Sequence, residues 1–440
     1  MSSRSVVLRR WSRAVAPATI AAVVFLSAAG HARAGGLWLY EVGTADVGLA
    51  SAGYGARAQD ASTVLTNPAG MTRLEGTQVT AGTQVLYANL GLSIDRTANT
   101  PGGGEGGNPI GWFPGASGFI AHSVSRDLKI GFGTGGNFGL AEKYDAGWAG
   151  RYYGREATLL GASLLPSIGY RVSDNLSLGA SLHVMYGILK NKTSVNNAAP
   201  NLADGELKLS DRKWGVGANF GLLYELDKGT RFGLVYNSQI DLDFSATATF
   251  SGVGPGVGTL LAQRGLLGAN IDLGIKVPQG VMASAYHEIN GRWAVLASVG
   301  WQEWSKFGKV DVSVDSSDPR AVTTALDFKD SWHVAVGGQY RPHSMWLINF
   351  GAAYDSEFQD KGNVSPMLLA NSQWRFGVGA NSQWSKTFSW GVAAEYVYLG
   401  KTSVDRRGTA PVALGGRGDL VGTFKNSSMT FLSANFTWKF

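Results

Sequence analysis

From about residue 76 to the last residue, hydrophobic and polar side chains alternate with a period of two, the signature of strands with one apolar face. In the final segment Leu432, Ala434, Phe436, Trp438 and Phe440 share one face, and Ser433, Asn435, Thr437 and Lys439 share the other. Trp214, Val216, Ala218, Phe220, Leu222 and Tyr224 form another apolar stripe, as do Trp374, Phe376, Val378 and Ala380. Trp332, Val334, Val336 and Tyr340 alternate in the same way with His333, Ala335 and Gln339. A soluble sandwich also alternates, but it seldom ends its apolar stripes in Trp or Tyr on both sides, whereas two lipid–water interfaces select that placement. Fourteen strands are predicted: 77–94, 114–125, 128–141, 157–173, 175–194, 205–226, 230–249, 268–288, 291–314, 320–341, 344–358, 367–385, 387–404 and 418–440. Tight turns such as Ser173-Asp174-Asn175, Asp227-Lys228-Gly229, Asn290-Gly291 and Pro342-His343 contrast with long Gly-, Asn- or Pro-rich connections at 95–113, 195–204, 250–267 and 359–366. Short turns on one rim and long loops on the other predict an all-β fold, a transmembrane antiparallel barrel of about 14 strands in a bacterial outer membrane.

Residues 35–75 break the pattern. They are crowded with Ala, Gly, Ser and Thr, carry Glu41, Asp46, Arg57 and Asp60, and lack alternation. Small residues and the turn signature Asn67-Pro68-Ala69-Gly70 predict a compact plug inside the barrel rather than a free tail. Residues 1–34 read as a cleaved signal peptide: basic through Arg13, apolar from Ala14 to Gly30, then the small-residue motif Ala32-Arg33-Ala34. The expected organisation is therefore a leader at 1–34, a hatch at 35–75 and a barrel at 76–440.

Composition supports this reading. Charged residues make up 16% of the chain, against roughly 25% in soluble domains, and the 61 glycines are about twice ordinary usage. The absence of Cys excludes disulfide scaffolds and thiol chemistry. The net charge of +6 is concentrated in the leader; without its five arginines, 33 basic residues face 32 acidic ones, and no basic stripe remains for nucleic acid.

Certain residues carry a family resemblance. The start from Gly36-Leu37-Trp38-Leu39-Tyr40-Glu41 to Gly48, Ala58-Gln59-Asp60-Ala61 and Asn67-Pro68-Ala69 resembles the outer-membrane long-chain fatty acid transporters, the FadL-like family, which includes hydrocarbon-uptake channels. Asn137-Phe138-Gly139-Leu140-Ala141, Trp214-Gly215-Val216-Gly217, Leu223-Tyr224-Glu225-Leu226-Asp227 and Phe328-Lys329-Asp330 extend the similarity over 35–440. The resemblance implies a fourteen-stranded barrel, a lumenal hatch carrying Asn67, Pro68 and Ala69, and a kinked third strand that opens sideways into the membrane. The residues at that strand agree: Gly131, Gly133, Gly135, Gly136 and Gly139 surround Asn137, and glycine within a strand marks a bulge, a bend or a close approach. An apolar cargo leaving sideways into the bilayer gains about 0.8 kcal/mol per buried CH₂.

The expected function is transport of hydrophobic small molecules, foremost long-chain fatty acids, with neutral aliphatic or aromatic hydrocarbons as the alternative cargo and a general diffusion porin or barrel enzyme further behind. A carboxylate head group needs a cation; Lys190 and Lys192 at the end of the fifth strand and Arg151 and Arg155 before the fourth are the candidates, with loop charges facing lipopolysaccharide as the other reading. The histidines show no metal spacing, so no metal and no cofactor are expected. A Ser-His-Asn hydrolase on the wall would need Ser and His within two strands of each other. Expected partners are the cargo, outer-membrane lipid and lipopolysaccharide, and the barrel-assembly machinery acting on the Phe440 strand; the chain is expected to be a monomer.

Overall fold

A computed structural model describes residues 37–440 except 200, 308, 316–319, 326–327, 360–363 and 369–370. The expected leader, 1–34, lies outside the described residues. The first part is α1 (Thr44–Leu49), α2 (Thr63–Thr66) and a 3-10 turn (Pro68–Arg73). The strands follow: β1 (Thr77–Asn89), β2 (Leu92–Ile94), β3 (Gly111–Ser123), β4 (Leu128–Lys143), β5 (Glu156–Arg171), β6 (Leu176–Val195), β7 (Gly205–Glu225), β8 (Thr230–Asn237), β9 (Ile240–Thr247) and β10 (Thr249–Ser251). After α3 (Pro255–Gln263) come β11 (Asn270–Val277), β12 (Gly280–Asn290), β13 (Trp293–Gln302), α4 (Trp304–Phe307), β14 (Lys309–Asp315), β15 (Arg320–Ala325), β16 (Ser331–His343), β17 (Trp346–Asp355), β18 (Gln373–Gln383), β19 (Phe388–Arg406) and β20 (Leu420–Lys439).

Fourteen of these strands form a closed antiparallel wall in the order β1, β3 to β8, β12, β13 and β16 to β20. Closure comes from β1 pairing β20, in register from Gln78↔Lys439 to Asn89↔Ser428. Phe440 is part of the seam, since its N–H donates to the Thr77 carbonyl at 2.8 Å and its carbonyl accepts from Thr77 N–H at 3.2 Å. Closure removes the unpaired edge that hydrocarbon cannot solvate.

The wall is inside-out relative to a soluble core. Trp214, Val216, Phe220 and Tyr224 are exposed on the outer face, while Asn219, Gly221 and Leu223 are buried inside. The same holds for Trp374, Phe376 and Val378 against Arg375, Gly377 and Gly379. Aromatic residues gather at two levels. Trp293 stacks on Tyr340 beside the short turns, and Trp374 packs on Tyr354 at the far end of the same sheet region. Along β16 the two levels are marked by Trp332 and Tyr340, which at the usual rise per residue lie about 26 Å apart along the strand; at a tilt of about 40° this spans about 20 Å of the outer-membrane apolar band.

The predicted strands 230–249, 268–288, 291–314 and 320–341 are each divided between the wall and a second sheet. β9, β11, β14 and β15 form a separate four-stranded sheet on the long-loop side of the wall strands they continue. At the first break Ser238 is held by β7, exchanging backbone and hydroxyl hydrogen bonds with Ala218, and at the second Pro278 has no N–H for the ladder. Beyond the breaks β9 turns inward. Ile240 fills the space left by Gly215 and Gly217, and Leu242 and Phe244 fill that left by Gly187.

Candidate functional site: the lumen, its hatch and the third wall strand

Residues 37–74 are almost wholly buried and lie against inward-facing positions around the barrel. Contact is backbone to backbone, which explains much of the glycine content. A Cβ at Gly351 or Gly377 would overlap the main chain of α1, one at Gly233 would overlap the Gly55 carbonyl, and one at Gly221 would overlap the Asn67 amide. Asp46 fixes the start of α1, accepting from Gly43 N–H at 3.1 Å and pairing with Arg57 at 2.8 Å. Burial pushes the Asp46 carboxyl up from its ordinary value, and the Arg57 guanidinium opposes that rise.

Asn67 is the pin of the hatch. Its Nδ2 donates to the Gly55 carbonyl at 2.6 Å and the Leu222 carbonyl of β7 at 3.0 Å, and its Oδ1 accepts from Ala69 N–H at 3.0 Å. Pro68 begins the 3-10 turn, where its missing N–H is not needed, and Ala69 is fully buried beside Gly179. Asn67→Ala should therefore remove a strap between hatch and wall, a loss of roughly 1–3 kcal/mol for the buried groups left unpaired. The expected result is increased ion conductance in planar bilayers with the barrel still migrating as folded protein on unboiled gels; unchanged conductance would show that this strap does not hold the plug.

The glycine-rich β4 divides into two parts. Gly131, Gly133 and Gly135 lie where β4 still pairs with β3, between Ser117↔Gly135 and Ser123↔Lys129. Here the absent side chains admit the hatch: a Cβ at Gly131 would meet Met71 and Val64, and one at Gly133 would meet Val64. Beyond Gly135, β4 leaves β3 but stays paired with β5 through a bulge between Gly136 and Phe138. Asn137 is the extra residue. Both Asn137 and Phe138 point inward, and the start of the hatch takes the place of β3, with Leu39 N–H donating to Asn137 O at 3.0 Å and Gly139 N–H to Leu37 O at 2.8 Å. Gly139 has a φ of +117°, and a Cβ there would overlap the Leu159 carbonyl, so this position admits only glycine. The outer half of β3, Gly111–Ala116, keeps β1 as its partner and has no β4 pairing.

Phe138 enters an apolar cluster inside the lumen with Trp38, Tyr40, Met185, Ile240, Leu242, Phe244, Trp304, Phe307, Phe328 and Phe358. Trp304 stacks on Phe358 at 4.6 Å. On the outer rim a second apolar feature, a groove of about 620 Å³, is lined by Leu207, Val257, Leu260 and Leu414 together with Arg417. No residue of α3 is buried, and Leu260 and Leu414 are exposed, an arrangement that marks a contact surface.

The four basic residues selected from the sequence are not gathered in a pocket. Arg151 pairs with Asp204 at 2.5 Å, Arg155 with Glu206 at 3.0 Å and Lys192 with Glu156 at 3.5 Å, while Lys190 is exposed. Three features were not foreseen. The first is Arg417 at the groove. The second is a buried ion network in which Arg375 bonds Asp355 at 2.5 Å, Glu395 at 3.1 Å and Glu41 of the hatch, with His333 on Asp355 at 2.6 Å. The third is a row of polar side chains on four neighbouring strands, Asn137, Ser163, His183 and Asn219. The Arg375 beside Trp374 in an alternating stripe was a signal that a lumenal cation exists, but its partners lie far away in sequence.

The model of the family described as outer membrane protein transport protein (OMPP1/FadL/TodX) matches residues 25–440. Outer membrane protein P1 of Haemophilus influenzae is 27% identical over 423 residues, covering 87% of this chain and 89% of that protein. The long-chain fatty acid transport protein of Escherichia coli O6:H1 is 28% identical over 351 residues, covering 73% of this chain and 77% of that protein. A solved FadL homologue from Pseudomonas aeruginosa superposes with a TM-score of 0.81 at 18% identity, covering 92% of this chain and 100% of that one. The toluene transporter TbuX of Ralstonia pickettii gives a TM-score of 0.66 at 18% identity, covering 91% and 99%. A closed, hatch-filled outer-membrane barrel matched along its whole described length by that family model belongs to the OMPP1/FadL/TodX family of outer-membrane transport proteins for hydrophobic substrates.

Proposed function

We propose that this chain imports long-chain fatty acids and releases them sideways into the outer membrane. The observation that carries this reading is the parting of β4 from β3 above Gly135, coupled to the inward turn of Phe138 into the aromatic cluster. A molecule with a long apolar tail gains by moving from the outer groove to that cluster and on into the bilayer, and gains nothing from a water-filled pore. Arg417 at the groove suits first contact with a carboxylate, since a guanidinium binds it bidentately. Relatives over most of the chain carry the name long-chain fatty acid transport protein, which supports this cargo over others. Neutral hydrocarbons are the second reading, favoured by the carboxylate partners of Arg151, Arg155 and Lys192.

The test is uptake of radiolabelled oleate by a Gram-negative host lacking its own long-chain fatty acid transporter. The chain should restore uptake, and Leu260→Asp with Leu414→Asp should slow it by spoiling the groove. Failure of the correctly inserted wild-type protein to restore oleate uptake, with toluene entry restored instead, would overturn the fatty-acid reading in favour of the second.

A further inference from the structure

The apolar cluster has a polar floor. Ser163 of β5, His183 of β6 and Asn219 of β7 are buried on adjacent strands, and Asn137 of the β4 bulge joins them. Ser163 Oγ lies 2.7 Å from His183 Nε2 and 2.9 Å from Asn137 Oδ1, and His183 Nδ1 lies 3.3 Å from Asn219 Oδ1. All four are at most 2% exposed. Above this row Met185, the cross-strand neighbour of Ser163, belongs to the aromatic cluster; below it Leu165 belongs to the cluster formed with Val42 and Val64 of the hatch. The row therefore lies between the apolar chamber and the hatch, at the residue where β4 leaves β3.

Proton counting shows what the row can bind. If the imidazole proton is on Nδ1, it is donated to Asn219, Ser163 donates to Nε2, and Asn137 must turn its amide to donate to Ser163. If the proton is on Nε2, it is donated to Ser163, Ser163 donates to Asn137, and Asn219 must turn to donate to Nδ1. Both arrangements are complete within the row, and both leave Asn219 one unused group. Among the described residues the buried Asn219 Nδ2 has no hydrogen-bond partner. Such a group costs free energy unless something in the lumen bonds to it. Because the row reverses direction by turning two amides, it can answer either a donor or an acceptor.

We propose that Asn137, Ser163, His183 and Asn219 form a head-group station for neutral, hydrogen-bonding heads on long apolar tails: alcohols and undissociated carboxylic acids. This rests on the reading of the apolar cluster as a cargo chamber. No Lys or Arg belongs to the row, so an ionised carboxylate would lie there without a counter-charge, at a high desolvation cost. Desolvation raises a carboxyl group's pKa, so a fatty acid would occupy the station with its proton. The station thus selects amphipathic cargo over plain hydrocarbon, whose tail fills the chamber but leaves Asn219 unpaired.

The experiment uses the full-length protein in lipid nanodiscs and compares dodecanol, dodecane and dodecanoic acid by displacement of a fluorescent acyl probe. Dodecanol should bind on the order of tenfold tighter than dodecane, the effect of one or two net hydrogen bonds. Dodecanoic acid should weaken as pH rises while dodecanol stays level. In Asn219→Leu, which leaves the Ser163–His183 bond in place, the dodecanol preference should vanish with dodecane affinity unchanged; His183→Phe should do the same. Equal wild-type affinity for dodecanol and dodecane overturns the station while leaving the transport reading intact. Equal weakening of both ligands in Asn219→Leu assigns the row a purely structural role. Hydrolysis of p-nitrophenyl dodecanoate that is lost in Ser163→Ala would make the row catalytic and overturn it as well. Failure of every C12 ligand to bind removes the station and the chamber together.

Discussion

Deleting Asn137 is expected to abolish oleate uptake while leaving the binding of dodecane, which makes no use of the head-group row, close to normal in the purified protein. The bulge exists because two consecutive residues, Asn137 and Phe138, both face inward between the pairs Gly136↔Ala162 and Phe138↔Gly161. Removing one restores the period of two: Gly135 stays inward, Gly136 outward, and Phe138 keeps its place facing the chamber. What disappears is the inward step of β4 and the Asn137 carbonyl that receives Leu39 of the hatch. The shortened strand can then continue its ladder along the outer half of β3, on the side away from β1, and close the wall. The outer groove, formed by loop residues and strand ends away from the bulge, is untouched. The measurement is paired: uptake by cells, with surface expression quantified, and dodecane binding to the same variant in nanodiscs. Wild-type uptake by correctly inserted protein would mean that cargo leaves by another path.

Arg375→Ala should produce the largest loss of stability in the barrel wall. The guanidinium is the shared cation for Asp355, Glu395 and Glu41, all buried, and the ring of Tyr40 lies tilted at 4.5 Å from His333, which holds the far side of Asp355. Its removal leaves carboxylates unpaired in a site that water does not reach, and breaking a buried pair in this way costs about 3–5 kcal/mol. Because Glu41 belongs to the hatch, the substitution also frees the segment 37–42 that lies against the β4 bulge. The folded band on unboiled gels should be lost at a lower temperature than for wild type, and single-channel conductance should rise. Glu41→Ala removes the tie to the hatch but leaves Arg375 paired with Asp355 and Glu395, and should give the conductance effect with a much smaller change in thermal stability. An unaltered unfolding temperature for Arg375→Ala would show that the network is not a structural element.

The two substitutions act on features of different legibility. The bulge announces itself in the chain, because five glycines around Asn137 cannot sustain ordinary strand packing. What they do individually is not written there. Gly131 and Gly133 make room for Val64 and Met71, whereas Gly139 serves the backbone turn itself. Likewise Arg375 is visible as a cation on a lumenal face, but Glu41 and Asp355 become its partners only when three distant parts of the chain meet. Arg151 and Arg155 were placed beside each other by sequence position; the fold assigns each a carboxylate on the neighbouring loop or strand, Asp204 and Glu206.

Alternation with a period of two, aromatic residues at both ends of the apolar stripes, and short turns opposite long loops determined by themselves that this protein is an outer-membrane barrel of fourteen strands. These are local properties: each strand must present lipid on one side and lumen on the other, whatever its neighbours are. The break of four strands into a second sheet, the strap from Asn67 to Leu222, the Arg375 network and the row from Asn137 to Asn219 were decided only by the tertiary structure. Their partners are separated by tens to hundreds of residues, and which side chains meet inside a barrel depends on the register of every strand pair between them, a quantity that no single strand encodes.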